Sequence, residues 1–221
     1  MHRTPEPELM DDHAQAVAYA YADFEASHSF FVNRFAELFL DVPVTGTWLD
    51  LGCGPGDVLR RFARRYPACH LHGIDGSTAM LEIGKEQTLE AGLSHRISLF
   101  QRYLPDQALP LPQYQGILSN SLLHHLADPM ILWETVSQYA SSGCPIYIMD
   151  LCRPKDDAEA KRLVALYSGG EPELLKRDFY YSLLASYTKA EVEAQLKEAG
   201  LSNLRVQTVT DRHLLVAGYA G

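Results

Sequence analysis

Apolar positions along the chain follow two different spacings, and each spacing predicts a type of element. Between residues 13 and 40, apolar side chains recur every three or four positions, which is the period of an α-helix, so we predict one or two amphipathic helices there. Beyond residue 44, short apolar runs typical of buried strands alternate with helical stretches. The predicted strands are 47–51, 70–75, 96–101, 116–120 and 145–151, and the predicted helices between them are 57–66, 77–91 and 129–140.

This alternation of strands and helices also predicts the architecture. Short strands separated by helices imply right-handed crossovers and a mostly parallel sheet covered on both faces. Thr188 and Glu191 form a capping box at the start of a further helix, and Gly200 ends it. Two last strands, 204–209 and 213–219, are joined by a turn (TDR) so short that it permits only an antiparallel hairpin. We therefore predict an α/β fold with a doubly wound, mostly parallel seven-stranded sheet and an antiparallel C-terminal hairpin.

The amino-acid composition is similar along all 221 residues, which predicts a single domain spanning 1–221. Residues 1–44 form its predicted N-terminal helical segment. Residues 152–187 lie between the fifth strand and the capped helix, and glycines and a proline at 169, 170 and 172 supply turn signals within them. We expect this stretch to form an inserted helical cap.

Charge and hydropathy restrict the partners. The formal net charge is −9 at pH 7, which argues against a broad nucleic-acid surface because binding phosphates requires clustered Lys and Arg. A small molecule is the better partner, although charge alone leaves a tRNA or protein substrate open. No apolar run approaches the roughly 18 residues that span a bilayer, and the polar, proline-broken start differs from a secretory signal. We therefore expect a cytoplasmic protein without membrane insertion, while its oligomeric state stays open.

Cysteine and histidine spacing does not indicate a metal site. The four cysteines show neither CxxC pairing nor zinc-ligand spacing, so we expect them to be reduced and mostly packed. His70 and His72 share one face of a predicted strand, a spacing that could chelate a metal, but the sequence provides no third ligand beside them. We interpret them as a structural or solvated pair and predict no metal.

The stretch WLDLGCGPGDV, residues 48–58, passes from a predicted strand through three glycines into a predicted helix. In an open α/β sheet the ligand lies beyond the carboxyl ends of the strands, at the point where the strand order reverses. Gly52, Gly54 and Gly56 would let the chain turn sharply and let a ligand approach the main chain without meeting a Cβ atom. We therefore predict that this loop binds a ligand.

The charges around the loop indicate which ligand. A dinucleotide fingerprint reads GxGxxG, but here Asp57 takes the place of the third glycine, and its carboxylate would repel a phosphate. Asp50 adds a second negative charge, which favours a cationic ligand. Asp75 ends the second predicted strand 23 residues after Gly52, close to the spacing at which an acid binds a ribose. S-adenosylmethionine has a ribose, a positive charge and no phosphate.

These residues resemble class I S-adenosylmethionine-dependent methyltransferases of the small-molecule type, with a Rossmann-like fold. DLGCGPG (50–56) resembles the first motif of that family, GIDGSTAML (73–81) its second-strand acid and following helix, and ILSNSLLHHLADP (117–129) its fourth-strand motif. The terminal hairpin is similar to the family's antiparallel seventh strand. The resemblance covers about 45–151 and 186–219, and it implies an enzyme that binds S-adenosylmethionine and releases S-adenosylhomocysteine.

The resemblance implies a set of cofactor contacts. Gly52 and Gly54 would approach the aminocarboxypropyl portion, and Asp75 would bind both ribose hydroxyls. Family members commonly carry an acid after the third strand for the adenine amino group. This sequence has Gln101, Arg102 and Tyr103 there, with Asp106 farther along, so backbone groups would serve instead. The complete expected set is Asp50, Gly52, Cys53, Gly54, Asp75, Gly76, Ser77, Met80, Arg102, Tyr103, Ser119, Asn120 and Tyr21.

Met80 is expected near the adenine, and Ser119 and Asn120 near the methionine end. Tyr19 and Tyr21 lie about 200° apart on a helix, so only one of them can face a buried cofactor. We assign Tyr21 to that role, with core packing of the N-terminal apolar stripe as the alternative.

The acceptor side is expected beyond the fourth strand. His124 and His125 follow that strand, and either could act as a base or contact the acceptor; in the alternative interpretation at least one is a framework residue. Arg153, Tyr180 and Tyr181 of the cap would line the acceptor pocket, unless the cap aromatics form a small core of their own.

The resulting hypothesis is methyl transfer to O, N or C of a small organic acceptor. Its alternatives are a non-catalytic S-adenosylmethionine-binding or regulatory protein, and an NAD-dependent oxidoreductase, against which Asp57 and the GxGxG spacing argue.

Overall fold

The computed structural model describes residues 1–6, 12–105 and 108–221, and it contains one seven-stranded sheet with the strand order β3-β2-β1-β4-β5-β7-β6. Strands β1 to β5 run parallel to one another, whereas β7 runs antiparallel to both β5 and β6. The strands are β1 (Gly46–Leu51), β2 (Cys69–Asp75), β3 (Ile97–Gln101), β4 (Ile117–Asn120), β5 (Pro145–Leu151), β6 (Arg205–Thr208) and β7 (His213–Tyr219). The predicted α/β fold class and the C-terminal hairpin are confirmed.

Eight α-helices lie in the described ranges. They are α1 (His13–Ala20), α2 (Glu25–Leu38), α3 (Asp57–Arg65), α4 (Thr78–Glu90), α5 (Met130–Tyr139), α6 (Asp157–Tyr167), α7 (Glu173–Ala185) and α8 (Lys189–Glu198). The N-terminal apolar stripe forms two helices, and α6 and α7 form the predicted cap. The capping box at Thr188 and Glu191 is present at the start of α8. None of these helices is both long enough and apolar enough to cross a membrane.

The two faces of the sheet are covered by different helices because side chains alternate along each strand. Leu49 and Leu51 of β1 point to the face where α5 and α8 pack, and this core contains the buried Trp133. Trp48 points to the opposite face, where Phe31 and Phe35 of α2 belong to an aromatic core. Helices therefore cover both faces of the sheet. A ligand can still bind at the carboxyl ends of the parallel strands.

The strand order reverses between β1 and β4, and this places the chain's polar motifs together. Leu51, the last residue of β1, is paired with Ile74 of β2 on one side and Ser119 of β4 on the other. The glycine loop after β1, Asp75 at the end of β2 and the turn after β4 consequently meet at one edge of the sheet.

Gly116 provides the space that the Trp48 side chain fills. A Cβ atom at Gly116 would lie 2.3 Å from the Trp48 ring, and that ring is fixed by a hydrogen bond from its Nε1 to the Thr45 carbonyl (3.0 Å). We predict that Gly116→Ala lowers the free energy of unfolding by about 1–3 kcal/mol, because the buried ring cannot move aside without strain. Gly170→Ala, which adds a methyl group in open space, is the matched control and should leave stability within about 0.5 kcal/mol. Urea unfolding measures both variants, and equal stability of the two would contradict the prediction.

Candidate functional site

A cavity of about 890 Å³ lies at the carboxyl ends of β1, β2 and β4. The glycine loop and the end of β2 form one wall, residues of α1 and α2 a second, and the 3₁₀ turn Leu123–His125 together with α7 a third. Cavities of this size hold small-molecule ligands and cofactors, and the position is the one that open α/β sheets use for them.

The glycine loop bends through backbone conformations that favour glycine. Gly52, Gly54 and Gly56 have φ angles of 70°, 51° and 76°, a region that residues with a Cβ atom rarely adopt. A Cβ atom at Gly52 would also lie 2.8 Å from the Leu122 side chain. The amides of Gly52 and Cys53 both donate to the Ile74 carbonyl, at 2.8 and 3.0 Å, and hold the loop against β2.

The carboxylate of Asp75 joins this loop to the start of α4. Its Oδ2 accepts a hydrogen bond from the Gly54 amide and its Oδ1 accepts one from the Ser77 amide, both at 2.8 Å. Ser77 in turn caps α4 by accepting from the Met80 amide. Two main-chain amides thus orient the Asp75 carboxylate, and Asp75 also lines the cavity.

Asp50 lies beneath the loop and has an unsatisfied oxygen. Its side chain is almost completely buried, and Oδ1 has no hydrogen-bond partner among the described residues. Burial, together with the nearby charge of Asp75, raises the pKa of Asp50 to about 7. A buried carboxyl oxygen without a donor is unfavourable, so a cationic or hydrogen-bond-donating ligand group in this cavity would stabilise it. The residues present therefore fit a ligand that combines a ribose with a positive charge.

Asp57 does not present the free negative charge that its place in the sequence suggested. Its carboxylate lies 2.8 Å from Nδ1 of His28 and 2.6 Å from Nε of Arg61, and 3.6 Å from the Arg60 guanidinium. Although partial burial opposes the charged form, hydrogen bonds from His28 and Arg61 lower the pKa of Asp57. These contacts pair Asp57 within the protein, so its carboxylate is not a free charge facing the cavity.

The loop after β3 supplies a different part of the wall. Arg102, Tyr103 and Leu104 line the cavity. The side-chain nitrogen Nε2 of Gln101 donates to the Gly76 carbonyl (3.2 Å) and to Thr78 Oγ1 (2.7 Å), and these bonds connect the end of β3 to the start of α4. Asp106 lies outside the described residues.

A histidine pair lies on the side of the cavity opposite the loop after β3. In the 3₁₀ turn, His124 Nδ1 donates to Asp150 Oδ1 at 2.5 Å, and the two imidazole rings of His124 and His125 are 4.2 Å apart. The Asp150 carboxylate also accepts from the amides of Leu123 and Leu151, both at 2.7 Å. Asp150 at the end of β5 thus fixes both the turn and the orientation of the His124 ring.

The charges of this pair are coupled. Burial opposes the charged forms of both groups, but the carboxylates of Asp150 and Glu6 raise the pKa of His124. His124 and His125, in return, keep the pKa of Asp150 below its usual value. Because the Asp150 carboxylate is an acceptor, the proton of His124 lies on Nδ1, and Nε2 is the atom that faces Glu6, at 3.6 Å.

Part of the chain, including this site, is similar in sequence to known proteins. Residues 49–141 match the family model described as a methyltransferase domain, and the match includes the glycine loop, Asp75 and the histidine pair. Over this stretch the chain is therefore similar to methyltransferases.

Curated relatives of this chain act on different acceptors, according to their names. The trans-aconitate 2-methyltransferase of Pseudomonas aeruginosa is 32% identical over 158 residues, which cover 63% of this chain and 54% of that protein. The protein arginine N-methyltransferase 1 of Saccharomyces cerevisiae is 32% identical over 112 residues, covering 51% and 28%. The release factor glutamine methyltransferase of Thermosynechococcus vestitus is 37% identical over 76 residues, covering 34% and 26%. The chain therefore spans about a quarter to a half of the length of these relatives.

Solved methyltransferase structures have the same fold over nearly the whole chain. The plantazolicin methyltransferase BpumL in complex with SAH has a TM-score of 0.71 at 17% identity and covers 96% of this chain and 92% of its own. A SAM-dependent methyltransferase from Aquifex aeolicus has a TM-score of 0.67 at 18% identity, covering 95% and 99%. At such low identity the similarity is one of fold.

The structure brings most of the expected cofactor residues to one cavity. The residues that line it are Asp50, Gly52, Cys53, Gly54, Asp75, Gly76, Ser77, Met80, Arg102, Tyr103 and Asn120, together with His124 and His125 of the acceptor side. Whether each contacts the cofactor remains a prediction.

Two expected cofactor residues lie elsewhere. Tyr21 is 72% exposed and does not line the cavity, because the helical twist turns Tyr19 inward instead. Burial, reinforced by the charge of Asp75, raises the pKa of Tyr19 to about 12, so its hydroxyl stays neutral. Ser119 is fully buried and donates from Oγ to the Leu51 carbonyl at 2.8 Å, a contact that connects β4 to β1.

The three acceptor-side residues expected in the cap also lie outside the cavity. Arg153 forms an ion pair with Glu191 (2.6 Å) and thereby attaches the end of β5 to α8. Tyr180 donates to Asp157, and Tyr181 is 47% exposed. The opposite face of α7 lines the cavity with residues spaced by one helical turn: Leu175, Asp178, Phe179 and Ser182.

Several residues at the site were not predicted from the sequence. The sequence did contain a signal for Asp150, because an acidic residue near the end of a strongly apolar strand is a candidate site residue. Phe24 and His28, which line the cavity from the N-terminal side, and Glu6, beside the histidine pair, come from the segment without a recognisable motif. Ser121, with a φ of 62°, also lines the cavity.

The pairing of Asp57 predicts a pH-dependent contribution to stability. The pKa of Asp57 is lower in the folded state than in the unfolded state. The ionised carboxylate therefore stabilises the fold fully above the unfolded-state pKa, and this stabilisation is lost as the pH falls through the folded-state pKa. We predict that Asp57→Asn lowers the free energy of unfolding by about 1–2 kcal/mol at neutral pH, and that this difference shrinks below about pH 4. Urea unfolding at several pH values measures it, with Asp41→Asn at an exposed position as the control. A pH-independent difference would show that the charge of Asp57 is not responsible.

Proposed function

We propose that the protein transfers a methyl group from S-adenosylmethionine to O, N or C of a small organic acceptor. The observation that carries this proposal is the pair of carboxylates at the glycine loop. Asp75 is fixed by two amides and Asp50 has an unsatisfied buried oxygen. Together they favour a sugar-bearing, positively charged ligand over a dinucleotide, because a pyrophosphate would lie against the Asp75 carboxylate and would offer no hydrogen-bond donor to Asp50.

The cofactor would be held by groups from several elements. The Asp75 carboxylate would accept hydrogen bonds from both ribose hydroxyls, and the main chain at Gly52 and Gly54 would adjoin the amino-acid portion. Met80, which is buried beside the cavity, would pack near the adenine, and the Arg102 and Tyr103 backbone would border it. Asn120 would lie toward the methionine end, while Tyr19 takes the position assigned to Tyr21 from the sequence.

When bound, S-adenosylmethionine supplies an electrophilic methyl group on a positively charged sulfur. The protein then has to align the acceptor with that group and exclude water. Tyr19 and Phe24 pack against each other with ring centroids 4.8 Å apart, and both line the cavity. Phe179 of α7 adds a third aromatic side chain. These rings would shield the reacting groups from solvent and suit an apolar or aromatic acceptor.

The histidine pair would serve an acceptor that has to lose a proton. Asp150 accepts the hydrogen bond from His124 Nδ1, so Nε2 of the neutral ring would be the atom that accepts a proton. His125 borders the same part of the cavity and would contact the acceptor directly. The named acceptors of the curated relatives include a small carboxylic acid and proteins, and the volume of the cavity supports the small-molecule class for this chain.

Isothermal titration calorimetry with S-adenosylhomocysteine tests cofactor binding. We predict that Asp75→Ala weakens binding roughly tenfold to a hundredfold, because a charged hydrogen bond contributes about 1.5–3 kcal/mol. Asp41→Ala at an exposed position is the control and should bind as the parent protein does, with circular dichroism confirming that both variants fold. NAD should give no heat. Unchanged affinity in Asp75→Ala, or tight NAD binding, would overturn the proposal.

Turnover is tested separately with methyl-labelled S-adenosylmethionine and a panel of small acceptors. Release of S-adenosylhomocysteine that depends on one acceptor class would support catalysis. Stoichiometric cofactor binding without turnover of any small acceptor would favour the non-catalytic alternative.

A further inference from the structure

The first residues of the chain are attached beside the histidine pair. Arg3 donates from Nε to the Ala185 carbonyl (2.5 Å) and from its terminal nitrogen to the carbonyls of His124 and Leu126 (both 3.0 Å). Its guanidinium also lies over the Tyr187 ring, 4.1 Å from the centroid. These contacts hold residues 1–6 across the 3₁₀ turn and bring the Glu6 carboxylate to the two imidazoles.

Three potential ligand atoms converge there. Glu6 Oε1 lies 3.3 Å from His125 Nδ1 and 3.6 Å from His124 Nε2, and the three residues offer ligand atoms that all lie within 4.8 Å of one another. Zinc binds imidazole nitrogen and carboxylate oxygen at about 2.0–2.2 Å, so neighbouring ligands of a tetrahedral ion are roughly 3.4 Å apart. The two distances from Glu6 agree with that separation.

The surroundings of these atoms are also those of a metal site. Glu6 Oε1 is buried and has no hydrogen-bond partner in the described part of the chain. Behind His124, Asp150 accepts the hydrogen bond from Nδ1, which directs Nε2 toward Glu6. A carboxylate that holds the far nitrogen of a ligating histidine is the usual outer contact of zinc ligands, because it fixes the ring and its tautomer.

We propose that Glu6, His124 and His125 bind a divalent transition-metal ion of the zinc class. Two imidazoles and one carboxylate suit Zn²⁺, Co²⁺ or Fe²⁺, whereas Mg²⁺ and Ca²⁺ prefer sites made of oxygen ligands. The site is separate from His70 and His72, the pair that the sequence spacing singled out. Of those two, His72 has Nδ1 3.3 Å from the Tyr114 hydroxyl.

Both histidines line the cavity, so an ion held by them would adjoin the acceptor. If the proposed function holds, on which this step rests, the ion would bind an oxygen of the methyl acceptor and lower the pKa of the hydroxyl group there. His124 would then hold the ion and would not itself accept the proton. The existence of the site does not depend on methyl transfer.

Titration of tag-free, chelator-treated protein with Co²⁺, without cofactor, tests the site. We expect one ion per chain and the visible absorption of tetrahedral Co²⁺, which Zn²⁺ then displaces. Glu6→Gln and His125→Ala should each weaken Co²⁺ binding at least tenfold, and Asp150→Asn should weaken it roughly tenfold to a hundredfold. His95→Ala and Glu37→Gln, at exposed positions, are the matched controls and should bind as the parent protein does.

Glu6 belongs to the N-terminal segment and not to the sheet, so Glu6→Gln should fold, which circular dichroism confirms. Absence of the Co²⁺ spectrum in the parent protein, or undiminished binding in both Glu6→Gln and His125→Ala, would overturn the metal site and identify Glu6 and His125 as an ordinary ion pair. Calorimetry with S-adenosylhomocysteine on the same samples reads the cofactor site independently, so failure of one proposal is distinguishable from failure of the other.

Discussion

The hydrogen bonds that Asp75 accepts from the amides of Gly54 and Ser77 organise the site. One amide belongs to the loop after β1 and the other to the first turn of α4, so a single carboxylate fixes two segments that the sheet alone brings only near each other. The same carboxylate faces the cavity. Because its orientation is set before any ligand arrives, a ribose would meet an acceptor that needs no reorganisation, which is the advantage of a preorganised site.

A second carboxylate has the equivalent role on the other side of the cavity. Asp150 at the end of β5 accepts from two main-chain amides and from His124, and so fixes the 3₁₀ turn that carries the histidine pair. Parallel strands place both acids at the same edge of the sheet. Under the proposed function, Asp75 would define a nucleoside side and Asp150 an acceptor side, with the aromatic side chains of Tyr19 and Phe179 in the wall of the same cavity.

Periodicity and turn chemistry were sufficient to predict the strands, the helices and the antiparallel hairpin, because each element is locally consistent with the fold. The same held for the loop after β1, where three glycines need positive φ angles. Sequence could not predict which face of α7 points inward, since Tyr180 and Phe179 are both aromatic and only tertiary packing distinguishes them. Nor could it show that Arg61 and His28 pair with Asp57, or that Glu6 reaches His125, because these contacts join residues with no common motif.

The central claim is that the glycine loop and Asp75 form a nucleoside site. A crystal structure of the protein with S-adenosylhomocysteine tests it most directly. The account predicts both ribose hydroxyls within about 3 Å of the Asp75 carboxylate, and the amino-acid portion against the main chain of Gly52 and Gly54. Ligand bound away from this loop, or a ribose held by other groups with Asp75 turned away, would contradict it.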